Sequence, residues 1–350
     1  MRFTNVICVL AFGGLAAATS AIGCSGGGGD TTGTASGSTG TATGTGGSGG
    51  GETTGSTSST GSSGALCAPT DPVCTKVASE CIALADNKTQ DTFTLRMSQL
   101  TTTKPTALTM GIAKTAIAGA LLMNLKKCNL QGQGTFSLLI QFDNKAKKIT
   151  VGGATPSMDP LKGYTFAKGT ASGLDIGPAT DDLVFDATSG KFSTAKGADV
   201  NIPIFLAATD TTPGIVLPMH KATIAGTLSA DHNCVGKYNA DKLDPKKLCA
   251  GTDATPAFTD AANLDAYVTL EEADKVSIAA VGQTLCVLLS GDATKFGDMS
   301  TPKKCARDAT NKVVFQGDWC STTNAPATAT CADALKLDAT FAASAVTYVP

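Results

Sequence analysis

A formal net charge of −2 over 350 residues gives no basic field for a phosphate backbone, so nucleic acid is excluded as a partner. Aromatic residues make up only 5% and there is a single Trp, too few for a sugar-stacking platform or an aromatic cage. The length allows one large domain or two lobes.

The chain opens with Arg2 and an uncharged apolar run from Val6 to Ala18, followed by Ala21-Ile22-Gly23-Cys24. A basic start, a short apolar core and small residues before a cut describe a signal peptide over residues 1–23. The apolar run is shorter than the roughly 20 residues that span a bilayer. The segment Ala21–Cys24 resembles the bacterial lipobox, with Ala21 where leucine is commonest. That resemblance implies cleavage before Cys24, lipidation of its thiol and a membrane as partner. Ser25, in place of aspartate, implies the outer membrane or the cell surface.

Residues 24–64 then form a lipidated cysteine and a tether of Gly, Ser and Thr, broken by Asp30, Ala35, Ala42 and Glu52. With no large apolar side chain, nothing offsets the entropy of ordering the segment, and a disordered coil is expected. A coil of that length reaches about 35 Å in root mean square. Gly44-Thr-Gly46-Gly-Ser-Gly49 and Gly46-Gly-Ser48-Gly-Gly50 fit dinucleotide and nucleophile-elbow patterns. Both motifs need a strand before them and a helix after, and a low-complexity tract supplies neither.

The body, residues 65–350, reads as a Cys-rich, mainly β domain, with a division into lobes of about 65–232 and 233–350 as the alternative. Asp71-Pro72 marks a short helix to Leu84. Expected strands are Phe93–Met97, Ala116–Leu125, Thr135–Phe142, Ile149–Val151, Asp182–Phe185, Lys191–Thr194, Val200–Leu206, Ile215–Met219, Ala222–Leu228, Lys312–Gln316 and Thr340–Val349. Asp186-Ala-Thr-Ser-Gly190 is a hairpin turn with Gly where positive φ is needed. Thr269-Leu-Glu-Glu272 is a capping box, and apolar residues at helical spacing predict one longer, core-facing helix ending at Gly291. Short strands between frequent turns predict an antiparallel sandwich or barrel with one or two helices. Ile117-Ala-Gly119-Ala-Leu121 and Ile224-Ala-Gly226-Thr-Leu228 echo each other, each leading to a cysteine, as duplicated lobes or ordinary strands would.

Of twelve cysteines, Cys8 leaves with the signal peptide and Cys24 takes the lipid. Cys67, Cys74, Cys81, Cys128, Cys234, Cys249, Cys286, Cys305, Cys320 and Cys331 remain, an even set that reads as structural disulfides in an exported chain. Metal-type spacing is absent, as is C-x-x-C, so no metal site, redox centre or cofactor is expected. Cys74 and Cys81, seven apart on the expected helix, lie roughly 10 Å from each other, beyond the ~7 Å limit for a disulfide. Each should bridge elsewhere, to Cys67 and Cys128, with Cys234–Cys249 and Cys305–Cys320 as local closures.

No catalytic residues are assigned. The adjacent carboxylates Asp181-Asp182 and Glu271-Glu272 read as strand and helix-start residues, since paired-carboxylate chemistry needs separation in space. His220 and His232 have no nucleophile motif beside them. The Asp292–Asp298 loop lacks EF-hand spacing. Trp319 reads as packing on a disulfide. Lipobox, Gly/Ser/Thr tether and Cys-containing body together resemble the uncharacterised lipoproteins of myxobacteria and similar bacteria. That resemblance implies an address and no activity. The expected role is a non-enzymatic binding or structural module for an unknown envelope or extracellular ligand. A carrier or sensor of a lipid or small apolar molecule, and a hydrolase without a recognisable motif, are the alternatives.

Overall fold

Strand β1, Thr92–Lys104, alternates Phe93, Leu95 and Met97 on one face with Thr94, Arg96 and Ser98 on the other, and all six are buried. In a computed structural model of the chain, describing residues 81–109, 123, 134–207, 209–247, 249, 251–291 and 300–350, that strand begins an antiparallel wall. It continues through β2 (Leu138–Asp143), β3 (Lys148–Gly153), β4 (Ala179–Asp186), β5 (Lys191–Thr194), β6 (Ala198–Ile204) and β7 (Ile215–Thr227). The short β8 (Cys234–Val235), β9 (Ala262–Thr269), β10 (Trp319–Cys320) and β11 (Ala334–Val346) complete it.

Pairing runs β1-β2-β3-β4-β5-β7-β9-β11, and β11 then pairs back onto β1, so the wall closes on itself. Every one of these pairs is antiparallel, which makes an eight-stranded up-and-down barrel. Closure removes the free edges that an open sheet must protect. The two-residue periodicity then sorts the side chains. Leu138, Ile140 and Phe142 point inward with Leu264, Val268, Ala339, Phe341, Ala343 and Ala345. Leu335 ↔ Val268 and Leu95 ↔ Ala345 show β11 gripped from both sides. The wall takes strands from both sides of residue 232, so the body is not split into lobes there.

Two expected strands, Ile215–Met219 and Ala222–Leu228, are one bent strand, β7. Its first part pairs with β6 and its last residues with β5, and the partner register slips between Ala198 and Val200. Gly197 turns the chain there at φ +81, where a Cβ would lie 2.7 Å from the Lys221 carbonyl. β9 was not foreseen, and Lys312–Gln316 is not a strand. Its Val313 N–H instead donates to Glu271.

The expected long helix is two short ones, α1 (Leu270–Ala273) and α2 (Leu285–Leu289), separated by a two-residue ribbon, Ser277–Ile278 with Gln283–Thr284. Gly282, left-handed at φ +59, breaks the helical run between them. The N-cap half of the capping box holds, since the Thr269 hydroxyl accepts the Glu272 N–H at 3.4 Å, while the Glu272 carboxylate takes the Thr269 hydroxyl rather than its backbone N–H. Leu270, Ala273, Val276, Leu285 and Leu288 are buried as the spacing required. This segment caps one end of the barrel. The other end is filled by Phe93 on Phe142, stacked at 4.9 Å, and Phe192 edge-on to Phe142 at 5.1 Å.

Outer layers bury much of the outward face. Ile82, Tyr238, Leu243 and Phe258 pack on Ala342. Leu139, Ala154, Tyr164, Phe166 and Val346 form a second cluster, with the Arg96 guanidinium 5.5 Å from the Tyr164 ring centroid. Residues 81–84 are not helical. They run beside β11, where the Leu84 N–H donates to the Ala345 carbonyl, and β8 pairs with Ser344 and Ala343.

That shared position explains the first disulfide, Cys81–Cys234, with Cα atoms 5.5 Å apart. Cys286–Cys305 and Cys320–Cys331 are the other two pairs within the described residues. The expected Cys81 bridges to Cys67 or Cys128, and the closures Cys234–Cys249 and Cys305–Cys320, are therefore replaced. Cys249 is also disulfide-bonded. The pairings follow the tertiary seams: Cys305 is placed by its N–H on Asp274, under α2, and Cys320–Cys331 ties a small hairpin. Cys24, Cys67, Cys74, Cys128, the signal peptide, the tether, the expected strand Ala116–Leu125 apart from Met123, and the Asp292–Asp298 loop lie outside the described residues. No helix among the described residues is long and apolar enough to cross a membrane.

Candidate functional site

The bend of β7 brings three elements to one histidine. His220 projects from β7 beside Tyr267 of β9, its cross-strand partner, with the rings stacked at 5.3 Å. Its Nδ1 lies 3.3 Å from Asp199 Oδ2 on β6, and its Nε2 meets Glu272 Oε2 on α1. The Thr269 hydroxyl donates to the same Glu272 oxygen at 2.6 Å. Burial lowers the pKa of the imidazole, but the Glu272 and Asp199 carboxylates outweigh it and leave His220 above its ordinary value. Burial likewise pushes Asp199 up, and the Lys221 N–H and His220 pull it below the usual carboxylate range.

With both ring nitrogens facing carboxylates, the imidazole has no free lone pair for taking a proton from a substrate. The arrangement is a clamp. His232 is placed differently: it stacks on Phe93 at 5.0 Å and meets Phe185 edge-on at 5.8 Å, its buried Nδ1 without a hydrogen-bond partner. No hydrogen bond links either ring to a serine or cysteine side chain among the described residues.

The adjacent carboxylates separate onto different partners. Glu271 and Asp274 hold Arg307, through Nη1 at 2.9 Å and Nη2 at 2.7 Å. Asp274 is buried and also accepts the Thr284 hydroxyl and the Cys305 N–H, both at 2.9 Å. Asp181 accepts the N–H groups of Lys196 and Gly197 at the turn into β6, while Asp182 pairs with Lys148 at 2.6 Å. Trp319 donates to Asn324 at 3.1 Å and lies under the Lys336 ammonium at 4.7 Å, within the hairpin that Cys320–Cys331 closes. Asp274-Cys286-Cys305 and Cys320-Cys331-Asp333 group ligand-type side chains. Each contains a disulfide, whose sulfurs have no thiolate to offer a metal.

Inside the capped end lies an apolar cavity of about 50 Å³, bordered by Leu100, Phe136, Ile202, Leu264, Ile278 and Leu285 among others. Pockets for drug-sized ligands run from about 300 to 1,000 Å³. This one holds little more than one or two waters' share of liquid volume, about 30 Å³ each. A hollow of about 270 Å³ on the surface is walled by one loop, Thr155–Thr165.

Sequence reading found Glu272 through its capping box but not its partner. His220 and Glu272 are 52 residues apart, and the pairing of β7 with β9, which sets His220 opposite Tyr267, brings them together. By fold, the body is a disulfide-braced, eight-stranded antiparallel barrel. The chain matches no protein-family model, no curated protein and no solved structure.

Proposed function

We propose that the chain is a lipid-tethered, extracytoplasmic module that acts without catalysis, holding a rigid barrel at the envelope for binding or structural support. The observation carrying this reading is that the described cysteines are paired across the fold's seams, Cys81–Cys234 above all. Such cross-links form and persist in oxidising compartments outside the cytoplasm. The lipobox-like Ala21–Cys24 and the Gly/Ser/Thr tract supply an anchor and reach. The clamped His220 favours this role over hydrolysis, and the apolar cavity at the capped end, about 50 Å³, is too small for a lipid.

Whole-cell shaving with proteinase K tests the reading. Cleavage in the tether should release an intact, folded barrel from unbroken cells. Release only after the cells are lysed would contradict surface display.

A further inference from the structure

We propose that His220 is a pH-responsive clasp that fastens the barrel's end cap, residues 270–289, to its wall and loosens as pH rises. The geometry favours a charged imidazole, with a carboxylate oxygen near each ring nitrogen. A neutral ring has one N–H and one lone pair, yet Asp199 and Glu272 present acceptors to both nitrogens. Losing the proton therefore turns one attractive contact into an oxygen facing a lone pair, and leaves two carboxylates without their shared cation.

The groups around the ring can be traced element by element. β6 contributes Asp199, α1 contributes Glu272, and β9 contributes Tyr267, whose hydroxyl donates to the Ser321 carbonyl. On β7 itself, Lys221 is exposed, with its N–H on Asp199. Glu271 turns away to Arg307. No second cation among these reaches Glu272, so the imidazolium is the bond between wall and cap at this point. The Arg307 guanidinium on Asp274 keeps its charge throughout this range, so the cap loosens rather than detaches.

The sign follows from linkage. A histidine whose folded pKa is raised adds stability that is complete below its unfolded value, about 6.5, and is lost as pH rises through the folded one. The cap carries Ile278 and Leu285 over the interior cavity, so loosening uncovers apolar surface at that end.

Hydrogen–deuterium exchange on the full, oxidised chain between pH 6 and pH 9, corrected for intrinsic exchange, reads this directly. Protection of residues 270–289 should fall with rising pH, about tenfold for each unit by which the imidazole's folded pKa exceeds its unfolded one. In H220R, which keeps a cation and two donors at every pH, protection should stay level. NMR titration gives a readout that needs no variant, because His232 is the only other histidine. A His220 midpoint above 6.5 supports the clasp. Unchanged protection in the wild type, an equal loss in H220R, or a midpoint at or below 6.5 would overturn it.

Discussion

Asp274 is the residue whose loss should be felt most. Its carboxylate is buried and accepts from Thr284, Cys305 and Arg307. Asp274→Ala leaves the Thr284 hydroxyl and the Cys305 N–H without an acceptor, at about 1–3 kcal/mol for each buried donor, while Arg307 keeps Glu271. Urea denaturation should show that loss, and a change under 1 kcal/mol would refute the role given to Asp274. Asp181 acts at the acid end. Burial raises its pKa, but the Lys196, Asp182 and Gly197 N–H groups win and lower it. A lowered carboxylate adds stability present above its unfolded pKa, about 3.9, and lost as pH falls through the folded value. Asp181→Asn should therefore lower the neutral plateau and leave the acid end nearly unchanged, flattening part of the acid limb, as thermal melts against pH would show. Little of this was legible in sequence. The adjacency of Asp181-Asp182 and Glu271-Glu272 names no partner for either pair, and Arg307, Asp274 and His220 find theirs through tertiary contacts that no local spacing encodes.

Individual elements differ in how far neighbouring residues decide them. The hairpin around Asp186–Gly190 was legible because a two-strand turn is a local event: Gly190 sits at φ +70, and a Cβ there would lie 2.5 Å from the Leu228 carbonyl. Gly190→Ala should cost more than 1 kcal/mol, since strain and clash add. A neutral effect in equilibrium unfolding would show that the turn relaxes freely. Thr269→Ala removes the α1 cap and one donor to Glu272, for a loss of about 1 kcal/mol. The long helix was misread for a physical reason. The apolar spacing of Leu270, Ala273, Val276, Leu285 and Leu288 also suits two single turns pressed on a barrel end, and left-handed Gly282 decides between them. β9 carries a weak pattern, with small Ala262 and Ala266 among its inward residues and Asn263 and Asp265 facing out, and pairing with β7 and β11 decides it.

Across the whole molecule, β class, antiparallel pairing and a sandwich-or-barrel architecture could be read from strands and turns. Closure could not, because it rests on β11 finding β1 about 250 residues away, as in Leu95 ↔ Ala345. Disulfide connectivity failed for the same reason: Cys81 and Cys234 meet only because both segments lie along β11. Their bond closes 153 residues of separation, and the chain-entropy model assigns such a loop about 5 kcal/mol. The double variant C81S/C234S should lose several kcal/mol against guanidinium, more than C320S/C331S, whose separation is 11.

The proposed export would tie the disulfides, the tether and a lipid anchor together, and the intact mass of the chain extracted from its own membranes tests it most directly. The mass should correspond to a chain starting at Cys24, carrying acyl groups, with Cys81, Cys234, Cys249, Cys286, Cys305, Cys320 and Cys331 all refractory to alkylation before reduction. A chain still beginning at Met1, or one whose thiols are alkylated without reductant, would contradict it.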